Sequence, residues 1–226
     1  MHGVGLIRFI VGIIGNILSS LQFIAPMPLF WRICKKKDTE EFHPYPYIAA
    51  TMNCMLWILY GLPIVHPDSI ILIIIMPFGI ALEFIYLFIF FIYTSKPKYR
   101  WIIMIYVVCE LVLLGVIIVI TILCFRTHEK RSMFVGILCD IFGIIMAASP
   151  LSKLYDVYKE KSVEFMPFWL CVAGFTKGIT WTIYAFLDIF DPYIAVGNGI
   201  TALLGLVQLL VFAYYTIKAK TLRVML

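Results

Sequence analysis

Lys177 and Asp140 are the residues whose chemistry fits their surroundings least, because each lies in the middle of an apolar run. A lysine at the centre of an apolar helix costs roughly 2.5–3.5 kcal/mol on insertion scales and calls for a partner. Asp140 is the candidate. At 1.5 Å per helical residue, Asp140 lies about 14 Å from Arg131 and Lys177 about 16 Å from Asp188, so the two reach similar depth. A buried ion pair is expected, and a lysine in a water-filled cavity is the alternative. Glu83 and Glu110 are further carboxyls within apolar runs, and Gln22 and Asn53 are neutral polar groups there. No chain of titratable groups links either glutamate to the rest, so both are expected to be structural rather than parts of a proton relay.

Catalysis has no visible site. His2, His43, His66 and His128 lie at ends or in loops, and no glycine-lysine phosphate loop occurs. Most of the six cysteines lie inside apolar runs without a CxxC pair, and they read as small hydrophobes rather than metal ligands or disulfides. An enzyme is therefore not expected, and neither is a metal or a cofactor. The chemistry on offer is ion pairing and recognition of a polar guest.

The elements that hold these groups must be membrane helices. Of 226 residues, 63% are hydrophobic and only 14% charged, where a soluble chain is near half apolar. The mean hydropathy is +1.00. Seven stretches are long enough to cross the bilayer, near 6–33, 45–64, 69–94, 100–124, 132–156, 165–187 and 192–217. Each is expected to be helical, since lipid offers no partner for backbone groups. No signal peptide is expected at the N-terminus.

Lysine and arginine fix the orientation. The segments at the ends of stretches 1/2, 3/4, 5/6 and the C-terminal tail hold thirteen, among them Arg32, Lys35, Lys36, Lys37, Lys96, Arg100 and Lys159. The opposite side holds four, Arg8, Arg126, Lys130 and Arg131. The N-terminus is expected outside and the C-terminus in the cytosol. The net charge of +5 is thereby a topology signal, and nucleic-acid binding is not needed to explain it.

The sequence repeats itself. At an offset of 124, Val11 falls on Val135, Gly12 on Gly136, Pro26 on Pro150, Lys35 on Lys159, Glu40 on Glu164, Trp57 on Trp181 and Tyr60 on Tyr184. At 122, Tyr93 falls on Tyr215. The expected fold is an all-α membrane protein of seven transmembrane helices, two parallel three-helix bundles joined by a linker helix (3+1+3). The expected divisions are 1–97, 98–127 for the linker, and 128–226. Parallel repeats favour a transport path at their interface.

The stretches GNILSSLQFIAPMPLFWRICKKKDTEEF, PYIAATMNCMLWILYGLP, SPLSKLYDVYKEKSVEFMPF and GNGITALLGLVQLL resemble the SWEET family of sugar transporters over nearly all of the chain. Gly197-Asn198 and the Tyr-Gly-Leu-Pro of 60–63 look closest to the plant branch associated with hexoses. The resemblance implies a facilitative bidirectional sugar uniporter working by alternating access. It implies hinge prolines at Pro26, Pro46, Pro150 and Pro167, and an extracellular gate at Asp188 with Tyr60 and Tyr184. It implies a substrate pocket with Asn198, Trp57 and Trp181, near Asn53, Ser19 and Gln22. An amide both donates to and accepts from paired hydroxyls, and an indole covers the apolar face of a pyranose.

Two positions depart from the family pattern. Met76 stands in Ile75-Met76-Pro77-Phe78-Gly79 where an asparagine is usual, opposite Asn198 at the 122 offset, so half of the amide clamp is missing. Lys177 stands opposite Asn53, where a small polar group is usual. Pro77 should also bend its helix. These departures keep a second reading open, a diverged relative with altered substrate or lost transport. A seven-helix receptor is the third, and the internal repeat argues against it. The expected partners are a small sugar and the bilayer, with the plasma membrane as location. A homo-oligomer stays open, since related transporters assemble in this way.

Overall fold

Prolines mark out this fold. The computed structural model describes residues 2–67, 69–148, 159 and 168–225, and among them it is all helix, with no strand. The helices are α1 (His2–Ile24), α2 (Met27–Lys36), α3 (Tyr45–Gly61), α4 (Ile70–Ile73), α5 (Met76–Tyr93), α6 (Pro97–Cys124), α7 (His128–Ala148), α8 (Phe168–Phe186) and α9 (Pro192–Met225). Five of these carry a proline at their first or second residue: Pro28, Pro46, Pro77, Pro97 and Pro192. There the missing N–H would have had no intrahelical partner anyway.

Each of the seven expected stretches carries helix among the described residues, and two of them are broken there. The first is α1 plus α2, interrupted at Ala25–Pro26, and the third is α4 plus α5, interrupted at Ile74–Ile75 just before Pro77. Four stretches are long and apolar enough to cross a membrane by composition alone: Gly3–Lys36, Ile70–Tyr93, Pro97–Cys124 and Pro192–Lys218. The other three are α3 at 17 residues, α7, which opens on His128-Glu129-Lys130-Arg131, and α8, which carries Lys177. α6 exposes Val108, Val112, Val119 and Leu123 along its length, an apolar surface suited to lipid.

Pro46, expected as a hinge, lies in the first turn of α3, behind an N-cap at Pro44. No helical hydrogen bond is lost there, so Pro46 marks the start of α3. Pro150 and Pro167 lie outside the described residues.

Packing groups the chain into two compact units, Met1–Leu18 with Gly143–Leu226, and Ser19–Phe142. In the Ser19–Phe142 unit, α2, α3, α5 and α6 surround a core of Phe30, Ile33, Ile48, Tyr86, Leu87, Phe90 and Ile103. Phe30 stacks on Tyr86 with ring centroids 4.4 Å apart and meets Tyr47 edge-on at 4.8 Å. Arg100 caps the C-terminal end of α5, donating to the carbonyls of Phe91, Ile92 and Thr94. On α2, Arg32 and Lys36 both donate to Glu40 in the following loop, and these bonds hold the Glu40 carboxyl below the usual carboxylate range.

The break at Pro26 is held from α5. α1 ends at Ile24, so its last carbonyls lose their helical donors. The Tyr86 hydroxyl donates to the Phe23 carbonyl at 2.9 Å. A Cβ on Gly79 would meet the Phe23 ring at 2.5 Å, so only glycine lets the ring lie so close to α5.

In the other unit, α8 and α9 form a hairpin whose backbones nearly touch. A Cβ on Gly178 would sit 2.7 Å from the Ala202 nitrogen, and one on Gly205 would sit 3.0 Å from the Phe175 Cα. Small residues that admit such an approach are how helices pack in lipid.

Two variants probe these contacts. Tyr86→Phe removes one buried hydrogen bond, so it should lower stability by about 1 kcal/mol, read as a fall of about 2–4 °C in the melting temperature of the detergent-solubilised protein. Gly178→Ala meets backbone rather than a flexible side chain and should abolish the monodisperse folded peak in size-exclusion chromatography. Gly3→Ala, with open space around it, should leave that peak unchanged.

Candidate functional site

On α3, Asn53, Trp57 and Tyr60 follow one another at i, i+4 and i+7, which places them on one helix face. Trp57 meets Tyr60 edge-on at 5.6 Å, and Tyr60 is fully buried. Asn53 is half-buried, yet its amide oxygen is sealed from solvent and has no hydrogen-bond partner among the described residues. A buried acceptor without a donor costs about 1–3 kcal/mol. It is therefore a natural place for a guest hydroxyl.

The rest of the Ser19–Phe142 unit adds four candidates. Ser19 is buried and Gln22 half-buried near the end of α1, next to the break at Pro26. Met76 is the first residue of α5, half-buried just beyond the interruption at Ile74–Ile75, and the bend expected from Pro77 is present there. Asp140 is half-buried on α7.

On α8, Lys177, Trp181 and Tyr184 repeat the spacing of the α3 triplet. Trp181 is only 3% exposed and meets Tyr184 edge-on at 5.3 Å. α1 supplies its wall: a Cβ on Gly15 would come within 2.7 Å of the Trp181 ring. Lys177 is half-buried. Asn198 on α9 is half-buried too, and its amide nitrogen donates to the Ile194 carbonyl one turn earlier at 3.0 Å. That bond commits one amide hydrogen and leaves the oxygen as an acceptor.

Asp188, expected at an extracellular gate with Tyr60 and Tyr184, follows α8. It is exposed in the turn after α8, in a left-handed conformation with φ 64 that aspartate tolerates. The carboxylate that this turn buries is Asp191. Asp191 is 1% exposed and caps α9, accepting from the backbone N–H groups of Tyr193 and Ile194 at 3.0 and 3.1 Å. Its own N–H donates to the Ala185 carbonyl, so it ties the two helix ends together. Sequence reasoning passed over it because two aspartates three residues apart look alike until burial separates them.

Arg8 was also missed. It was counted among loop cations, yet it is only 8% exposed and its guanidinium lies over the Tyr184 ring, 4.7 Å from the centroid. A desolvated cation–π contact of this kind is worth about 2 kcal/mol. Glu83 and Glu110 are buried, each with one carboxyl oxygen lacking a hydrogen-bond partner among the described residues.

Broken apolar helices, a repeated polar–indole–phenol triplet and glycine-lined walls describe a membrane carrier assembled from a duplicated helical unit. Comparison with known proteins supplies the class. The family profile "Sugar efflux transporter for intercellular exchange" matches residues 9–98 and 133–220. Residue 133 lies 124 beyond 9 and residue 220 lies 122 beyond 98, the same two offsets at which the sequence repeats itself.

The chain is similar to "Bidirectional sugar transporter SWEET7" of Arabidopsis thaliana, at 50% identity over 93% of this chain and 81% of that protein. It is similar to "Bidirectional sugar transporter SWEET5" of the same plant, at 45% identity over 92% of this chain and 86% of that one. Among solved structures it matches "The 3.7 A resolution structure of a eukaryotic SWEET transporter", with a TM-score of 0.88 and 31% identity over 94% of this chain and 98% of that chain. The chain belongs to the SWEET family, whose members are sugar transporters and not enzymes.

The Gly15–Trp181 contact gives a direct test. Gly15→Ala should displace the indole, changing the tryptophan fluorescence of the purified protein and lowering its melting temperature, whereas Gly3→Ala should do neither.

Proposed function

We propose that this chain is a facilitative, bidirectional uniporter for a small sugar, a hexose in the first instance. It works by alternating access between 1–97 and 128–226, with 98–127 as the linker. The observation that carries this reading is the doubled family match, which falls on the two segments bearing the Asn53–Trp57–Tyr60 and Lys177–Trp181–Tyr184 triplets. The sealed Asn53 oxygen and the Asn198 amide suit sugar hydroxyls, and Trp57 and Trp181 suit the apolar sugar face. Pro26, where α1 breaks, and Pro46, at the start of α3, are the proposed hinges among the described residues, and Pro150 and Pro167 are assigned the same role from sequence. The excess of Lys and Arg puts the C-terminus in the cytosol, and the plasma membrane is the proposed location.

Counterflow of labelled hexose in proteoliposomes tests this reading. Wild type should exchange glucose or a close relative without a proton gradient. A panel of hexoses, sucrose and organic anions that yields no exchange would overturn it. Met76→Asn should raise the hexose rate severalfold by restoring the second amide. A wild type that already transports glucose well, and that Met76→Asn leaves unchanged, would show that the missing amide does not matter.

Met76 and Lys177 favour a second reading, a relative with altered substrate. It would show as exchange of an organic anion rather than a hexose. The sequence-based pairing of Asp140 with Lys177 has its own test in the stability of single and double variants. Asp140→Asn and Lys177→Met should each destabilise more than the double variant does, because removing one partner strands the other. Harmless, simply additive effects would exclude the pair.

A further inference from the structure

At one end of the Ser19–Phe142 unit, α2 and α6 each expose an indole and a lysine about one turn apart. On α2 they are Trp31 and Lys35, at i and i+4. On α6 they are Lys98 and Trp101, at i and i+3. Trp31 is 76% exposed and Trp101 64%, and both lysines are exposed. α2 runs toward this end and α6 runs away from it, so the order along the chain reverses. In both helices the lysine is therefore nearer the helix end, and the indole lies about 4.5–6 Å further in. The two helices share one core, in which Phe30 and Ile33 join Phe90 of α5 and Ile103. The segments beside them are tied as well. The Lys96 ammonium donates to Glu41 at 3.4 Å, and the Tyr99 hydroxyl lies 2.6 Å from His43 Nδ1.

We infer that the Trp31–Lys35 and Lys98–Trp101 pairs seat the headgroups of anionic phospholipids in the leaflet around this end, the cytosolic leaflet in the orientation proposed above. The inference does not use the sugar reading. The local charge balance supports it. Glu40 is taken by Arg32 and Lys36, Glu41 by Lys96, and Asp38 accepts from the Glu40 N–H. Arg100 is turned onto the carbonyls that end α5. Lys35 and Lys98 make no ion pair among the described residues, so two ammonium groups stand ready for an outside anion. The indoles fix what kind of anion that is. A ring that is apolar in its body and polar at its N–H suits the layer just below lipid phosphates, and a lysine one turn further out reaches the phosphates themselves. Topology alone asks for lysine anywhere in the loop, not for an indole in register with it on each helix. The far end of α6 carries Arg126 and then Lys130 beside Glu129, with no tryptophan.

The test reconstitutes the full chain in phosphatidylcholine bilayers and titrates in dibrominated phosphatidylserine or dibrominated phosphatidylcholine as a quencher of tryptophan fluorescence. The double variant Trp31→Phe with Trp101→Phe, measured in parallel, isolates the signal of these two rings. Their quenching should favour the serine lipid about fivefold. Lys35→Gln with Lys98→Gln should bring the two lipids level, whereas Lys35→Arg with Lys98→Arg should keep the preference. Arg126→Gln with Lys130→Gln removes the same charge from the other end and should keep it too. Equal quenching by the two lipids in the parent would overturn the inference, and so would a preference that survives Lys35→Gln with Lys98→Gln. Loss of the preference in Arg126→Gln with Lys130→Gln would show that net charge alone attracts the lipid, which also sinks it. Should the lysine double variant fail to fold, the parent decides at about 1 M KCl, where screening should cancel the preference and an unchanged preference counts against the site. Inorganic phosphate at constant ionic strength should leave the preference in place. If it abolishes it, the guest is a soluble anion and not a lipid.

Discussion

In lipid every backbone polar group must find its partner within the protein, and the rest of this structure follows from where that rule is strained. Among the described residues, the two interruptions inside spans lie beside prolines, at Ala25–Pro26 and just before Pro77. The break after α1 is tolerable because Tyr86 lends a hydroxyl to the Phe23 carbonyl from outside the helix. The break at Pro26 thus depends on a hydrogen bond from α5, and Gly79 keeps α5 close enough to make it. A break in lipid has to be built together with the group that satisfies it.

The same constraint explains the glycines. With water absent, helices gain little by hiding apolar surface from one another, so close packing has to hold them. Gly178 against Ala202 and Gly205 against Phe175 bring α8 and α9 to backbone contact. Gly15 does the equivalent for the Trp181 ring. On α1 the buried positions Arg8, Gly12, Gly15 and Ser19 recur at helical spacing, so one narrow stripe carries both the close approach and the buried cation.

The sequence made the spans, the duplication and the family readable, because apolar length, the tryptophans at 57 and 181 and the prolines are strong local signals. The aligned triplets on α3 and α8 were readable for the same reason. Pro46 was not, since a proline reads alike in the first turn of a helix and in its middle until the start of the helix is known. Asp188 and Asp191 differ only in which of them the turn buries. Arg8 looked like a loop cation because charge near a chain end is the usual topology signal, and only its place over Tyr184 shows otherwise. Each miss concerns a side chain whose surroundings come from another element, which periodicity along one helix cannot encode.

Duplication also sets a limit on symmetry. A substrate lacks the twofold relation of the repeats, so equivalent positions proposed to meet it are free to differ, and Asn53 against Lys177 and Met76 against Asn198 do differ. Away from those positions the demand is mechanical and the repeats agree: an indole one turn before a phenol, with a planar nitrogenous group on the phenol face. The means differ because the side chains at the equivalent helix position differ in reach. Arg8 on α1 spans to the Tyr184 ring unaided, whereas Ser132 on α7 is too short and instead fixes the loop histidine His66, which stacks on Tyr60.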